Sequence, residues 1–182
     1  MQLLSARSRS GPVAQPGAGD SRGVIVVVGA HGGAGATTLA ILLQPAWDMG
    51  VVRPPGQGPL LFPPGGRHLV LAARNTALAA GRAIGAVNAL TSQGARVAVL
   101  AMVSDGMPEP ASASYRFQLL QPRVGVLVRV PFVTALRAVD DPALLDLPRK
   151  ARRVLAEIRA AALGPAGGAV TRTAGRGQRT WG

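Results

Sequence analysis

The chain has no cysteine, only three Phe, two Trp and one Tyr, a single lysine (Lys150), and eight acidic residues against 20 basic ones. The missing thiols exclude disulfides, thiolate nucleophiles and cysteine metal sites. His31 and His68 are the only imidazoles and lie far apart in sequence, which gives no metal-ligand spacing. So few aromatics leave little for stacking on nucleic-acid bases, and the core has to come from Val, Leu, Ile and Ala. No apolar run approaches the roughly 20 residues that span a bilayer. The opening stretch "MQLLSARSRSGPVAQPGAGDSRG" has no apolar core of a secretion signal. A cytoplasmic protein with no membrane span is expected.

What is present is 182 residues, 48% of them hydrophobic, and a formal charge of +12. That length and apolar content suit one domain with a sizeable core. All basic residues but Lys150 are arginine, which together with abundant Ala, Gly and Pro is also what a GC-rich genome supplies. Whatever its origin, such a charge attracts phosphates, nucleic acid and anionic surfaces.

Composition divides the chain into three. Residues 1–22 and 164–182 are rich in Gly, Ser or Thr, Pro and Arg and read as disordered basic arms. Between them, 23–163 reads as an α/β domain. Four continuous β-branched runs, Val24 to Val28, Leu69 to Ala73, Val97 to Val103 and Val124 to Val130, are strands covered on both faces. They predict a three-layer domain with a mostly parallel sheet of four or five strands. A helix is expected over 76–93, capped by Asn75 or Thr76, with Ala80, Ile84, Val87 and Thr91 near one face and Gly94 as the stop. Another is expected over 149–163, with Val154, Leu155, Ile158 and Ala162 inward and its arginines largely outward. Residues 44–68, rich in Pro and Gly, read as mostly loop with a short edge strand near Val51 or Leu60.

The stretch "VIVVVGAHGGAGATTLAILL", residues 24–43, carries the chemistry. A strand that ends in glycines and restarts as a helix leaves unpaired main-chain N–H groups beyond the strand end, an arrangement suited to anions. "HGGAGATT" resembles the deviant P-loop of the ParA/MinD family of ATPases, and more closely the lysine-poor version in pilus-localisation relatives. It is most similar to an actinobacterial family with an AHGGAGATT loop, which brings no activity with it. Against the ParA/MinD pattern, Gly32, Gly33 and Gly35 match the glycines and Thr37 and Thr38 the hydroxyl positions. Ala30 replaces the leading glycine, His31 the signature lysine and Ala36 the P-loop lysine. "HLVLAARNTALAAGRAIGAVNALTSQGARVAVLAMVSDG" and "VGVLVRVPFVTALRAVDD" resemble later strand and helix segments of the same family. The resemblance implies a nucleotide site at His31, Gly32, Gly33, Ala34, Gly35, Ala36, Thr37 and Thr38, taking ATP with Mg²⁺ at Thr37.

Two departures argue against an enzyme. One absent charge-assisted hydrogen bond is worth roughly 1.5 to 3 kcal/mol, and one absent charge donor commonly lowers a rate by about 10² to 10³. A Walker B carboxylate is not found either: Asp48 lies beside Trp47 and not at the end of an apolar strand. Arg74, Asn75, Ser104 and Asp105 fall at strand ends, where open parallel sheets bind ligands. Arg74 is a candidate for a phosphate charge or for an Arg–Asp pair. Asp105 is a candidate for accepting from a base or cation, or for a turn in "SDG".

Three functions remain open from sequence. The first is a degenerate ParA/MinD-like protein with weak or no nucleotide binding and no efficient hydrolysis, acting through a protein partner. The second is an NAD(P)-binding protein using Gly29-x-x-Gly32-x-x-Gly35, with Arg53 toward a 2′-phosphate, although Tyr115 lacks the Tyr-x-x-x-Lys partner. The third is a basic interaction protein whose tails bind nucleic acid or an anionic surface and which takes no small ligand.

Overall fold

Ile25 and Val27 point to one side of the first strand and Val26 and Val28 to the other, and all four are buried. That is the physical content of a continuously apolar strand: both faces must be covered. The computed structural model describes residues 24–53 and 68–164. The arms expected at 1–22 and 164–182, apart from Gly164, which caps the final helix, and the edge strand position near Leu60, lie outside the described residues.

Element order is β1 (Ile25–Gly29), α1 (Ala36–Leu42), β2 (Ala46–Val51), β3 (His68–Arg74), α2 (Ala77–Ser92), β4 (Val97–Val103), α3 (Ala111–Leu120), β5 (Val126–Val130) and α4 (Arg149–Leu163). The strands form one sheet in the order β2-β1-β3-β4-β5, with every neighbouring pair parallel. This doubly wound order places its switch point between β1 and β3, where the connections leave in opposite directions. The α/β fold with a parallel sheet expected from the sequence is therefore what the chain forms.

One face carries α1 and α4, which bury Leu39, Val154 and Ile158 against Ile25, Val27, Val70 and Val99. The other carries α2 and α3, which bury Val87, Leu90 and Phe117 against Val26, Val28, Leu71 and Leu100. Thr76 caps α2 by accepting from the Ala79 N–H at 3.2 Å. The buried face of α2 runs through Ala80, Ala83, Val87 and Leu90; Thr91, expected on it, is exposed and Leu90 takes its place. In α4, Val154, Ile158 and Ala162 are buried as expected, and Leu155 is half-buried.

Two elements go beyond the sequence reading. The short edge strand expected near Val51 is present as β2 beside β1, and at 46–51 it takes in residues expected to be loop. Residues 111–120, to which the apolar pattern assigns no helix, form α3 on three inward residues, Ala113, Phe117 and Leu120. Glu109, just before α3, ties it to β5: it accepts from Arg129 Nε at 3.0 Å and from the Ser114 hydroxyl. Burial pushes this carboxyl upward, but the hydrogen bonds from Arg129 and Ser114 and the arginine's charge outweigh it, so its pKa lies below the usual value.

This packing can be tested at two points. Phe117→Ala should lower stability by about 3 to 5 kcal/mol in urea denaturation, whereas Leu119→Ala on the outer face should change it by less than about 0.5 kcal/mol. A depressed carboxylate pKa stabilises the fold above the unfolded-state value and ceases to do so as pH falls through the folded value. The deficit of Glu109→Gln relative to the parent should thus be present at about pH 7 and shrink by about pH 3 in matched denaturation curves.

Candidate functional site

The β1–α1 turn takes its shape from the residues after Gly29. The ladder continues one step, with Ala30 N–H donating to Ala72 O at 2.8 Å, and then the chain leaves the sheet. Gly35 sits at φ +88, the left-handed region, as the residue that opens α1. A Cβ there would also lie 3.4 Å from a Val103 methyl, so the loop leans on β4. Within the turn Ala34 N–H donates to His31 O. The N–H groups of Gly33, Gly35, Ala36, Thr37 and Thr38 have no main-chain acceptor among the described residues.

His31 and Arg74 stitch this loop to β3. His31 Nδ1 is 2.8 Å from Gly32 O, and Nε2 is 3.3 Å from the Arg74 main-chain N. A carbonyl only accepts and an amide N–H only donates, so the hydrogen is on Nδ1 and the ring is the neutral tautomer. His31 thus acts as a clamp and does not supply the cation whose position it occupies in the P-loop pattern. The Arg74 side chain donates through Nε to Gly33 O at 2.9 Å. It is not in an Arg–Asp pair: among the described residues it has no carboxylate partner, and its guanidinium lines the cleft.

The larger correction concerns Asp48. On β2 it projects beside the loop, and Thr37 Oγ1 donates to its Oδ2 at 2.5 Å. Its other oxygen, Oδ1, accepts from Gly50 N–H at 2.8 Å. The register of β2 on β1 slips between Val27 and Gly29, and Gly50 takes φ +73 in that bulge. Bulges re-aim side chains, and this one aims a carboxylate at the threonine. Asp48 is hard to single out in the sequence because Pro45, Gly50 and a prolonged Pro/Gly segment mask the strand. Its alternation with half-buried Trp47 and Met49 is the available signal.

Together these residues border an open cleft of about 320 Å³, lined by Gly29, His31, residues 33–38, Asp48, Gly50, Val51 and Arg74. Gly32 is exposed beside it and does not line it. Ala36 is buried, so that position gives the cleft a methyl and a main-chain N–H. Asp105 belongs elsewhere. Its Oδ1 accepts from Met107 N–H at 2.9 Å, and its own N–H donates to Oδ1 of the buried Asn75. It is a turn-former, and it does not border the cleft.

Oxygen donors from Thr37 and Asp48 suit a hard cation such as Mg²⁺, which is commonly held by one or two carboxylates plus a ligand's phosphates. Among the described residues no cluster of three or more His, Cys, Asp or Glu could hold a metal unaided. No family model, curated protein or solved structure matches the chain.

The geometry separates two neighbouring glycines. Gly35→Ala should cost about 1 to 2 kcal/mol through its left-handed backbone. Gly32→Ala, whose added methyl meets nothing within 4 Å, should stay within about 0.5 kcal/mol in the same urea titration.

Proposed function

We propose that the chain binds the phosphates of a magnesium nucleotide, ATP in the first instance, weakly and without efficient hydrolysis, as a degenerate ParA/MinD-like P-loop protein acting through a partner. The observation that carries this reading is the Thr37–Asp48 pair beside a loop of unpaired amides. A threonine hydroxyl and a carboxylate from a neighbouring strand are the oxygen set that holds Mg²⁺ in P-loop NTPases. When bound, the ion would neutralise phosphate charge. Thr37 and Asp48 would hold it, the amides of Gly33 and residues 35–38 would cradle phosphate oxygens, and Arg74 supplies the cleft's one cationic side chain among the described residues.

Asp48 restores one of the parts that the sequence pattern lacks, but Ala36 and neutral His31 still leave the loop without either lysine. The absence of one charged contact lowers affinity by about 10- to 150-fold. No described residue in the cleft has the geometry of a base aimed at a water: Asp48 is engaged by Thr37 and Gly50. Binding without turnover is the consequence.

The dinucleotide reading retains its glycine spacing and Arg53, which is exposed just beyond β2. Its chemistry lacks support, because Tyr115 lies on α3 and Lys150 on α4, on opposite faces of the sheet.

The discriminating experiment is a thermal-shift titration of the full chain with ATP, GTP and NADPH, each with and without Mg²⁺, beside a phosphate-release assay. Magnesium-dependent stabilisation by ATP is expected, with release at background level. Asp48→Asn and Thr37→Val should each weaken the magnesium-dependent shift by about tenfold in apparent Kd. Stabilisation by NADPH alone would favour the dinucleotide reading. Robust hydrolysis would overturn the noncatalytic part, and magnesium independence would overturn the role of the pair.

A further inference from the structure

The layer of α2 and α3 presents a surface that the fold itself does not use. Leu78 is 69% exposed, Tyr115 64% and Leu119 52%. Tyr115 and Leu119 are four residues apart on the side of α3 opposite buried Ala113, Phe117 and Leu120. A single exposed leucine is ordinary, but large apolar side chains on two adjacent helices, set among arginines, are a patch.

The arginines are held in position. Arg116 Nη1 donates to Ala77 O and Arg123 Nη2 to Asn88 Oδ1, each at 2.7 Å. Both reach from the α3 side onto α2, at points roughly 16 Å apart along its axis. Arg82, one turn beyond Leu78, is exposed and has no carboxylate partner among the described residues. The sequence has no Asp or Glu between 49 and 104 or between 110 and 139. The two acids in between are already engaged, Asp105 in its turn and Glu109 with Arg129 and Ser114. Among the described residues, none of Arg82, Arg116 and Arg123 has a carboxylate partner.

We infer that the α2–α3 face docks an acidic amphipathic helix of another protein, with its apolar side chains on Leu78, Tyr115 and Leu119 and its carboxylates on Arg82, Arg116 and Arg123. Charge selects this occupant. A second copy of the face would set arginines against arginines. The chain's own segments outside the described residues have Asp20 as their only acid and carry several arginines, so they are not complementary. A nucleic-acid backbone would match the arginines and leave the apolar centre without a counterpart. The surface lies apart from the cleft, so this inference stands independently of the nucleotide reading.

The test is fluorescence anisotropy with the full chain and a labelled synthetic helix of about 18 residues, about five turns, Leu on one face and Glu on the other. The same peptide with Lys for Glu serves as the control. The Glu peptide should bind and the Lys peptide should not. Leu119→Ser and Tyr115→Ser should each weaken binding by about tenfold or more. Arg82→Glu should do the same and gain affinity for the Lys peptide. These positions are exposed, so far-UV circular dichroism and urea midpoints should match the parent. Equal affinity for both peptides, no binding at about 1 mM (about −4 kcal/mol), or insensitivity to Leu119→Ser would overturn the inference. So would displacement of the peptide by phosphatidylserine vesicles or duplex DNA with the same variants abolishing their binding, which would make the face a polyanion surface.

Discussion

Covering both faces of a parallel sheet is the constraint on which everything else in this protein rests. The alternating side chains of β1 bury Ile25 and Val27 under α1 and α4, and Val26 and Val28 under α2 and α3. Parallel strands require each connection to return the chain to the same starting edge. Every strand therefore ends on one rim, and every turn that leaves a strand for a helix collects there. The glycine loop after β1, Arg74 at the end of β3 and the Ser104–Gly106 turn after β4 share an edge for this reason, although they lie far apart in sequence.

On that rim the loop is held by side chains where the P-loop pattern would have free cations. His31 uses both ring nitrogens and Arg74 uses Nε to fix the main chain at Gly32 and Gly33. Fixed amides are pre-organised donors, and an anion meeting them need not order the loop first. The Thr37–Asp48 pair adds the only oxygen set in the cleft suited to a hard cation among the described residues. Under the nucleotide reading proposed above, shape and main chain would do much of what charge does in a lysine-bearing loop, at lower affinity.

The carboxylates explain how the rest of the surface stays basic. Asp48, Asp105 and Asp141 are taken up by turns and caps, and only Glu109 and Asp146 pair with arginines among the described residues. The Arg152–Asp146 pair is highly exposed on both sides and adds little to stability. The unneutralised arginines of the α2–α3 layer and of the first turns of α4 are left to define what the surface can attract.

The sequence by itself determined the covered strands, the helices α2 and α4, and the glycine turn, because apolar runs, caps and glycine positions act through local backbone preference and burial. It did not determine the extent of β2 or the presence of α3. An edge strand paired on one side, preceded by Pro45 and bulged at Gly50, has a weak local signal, and α3 is held by three buried residues, Ala113, Phe117 and Leu120. Tertiary structure alone decided the partners of the site: that Asp48 meets Thr37, that His31 is a clamp, and that Asp105 is spent on a turn. Those outcomes depend on strand order and register, which bring side chains from different strands within hydrogen-bond distance, and spacing along the chain carries no record of either.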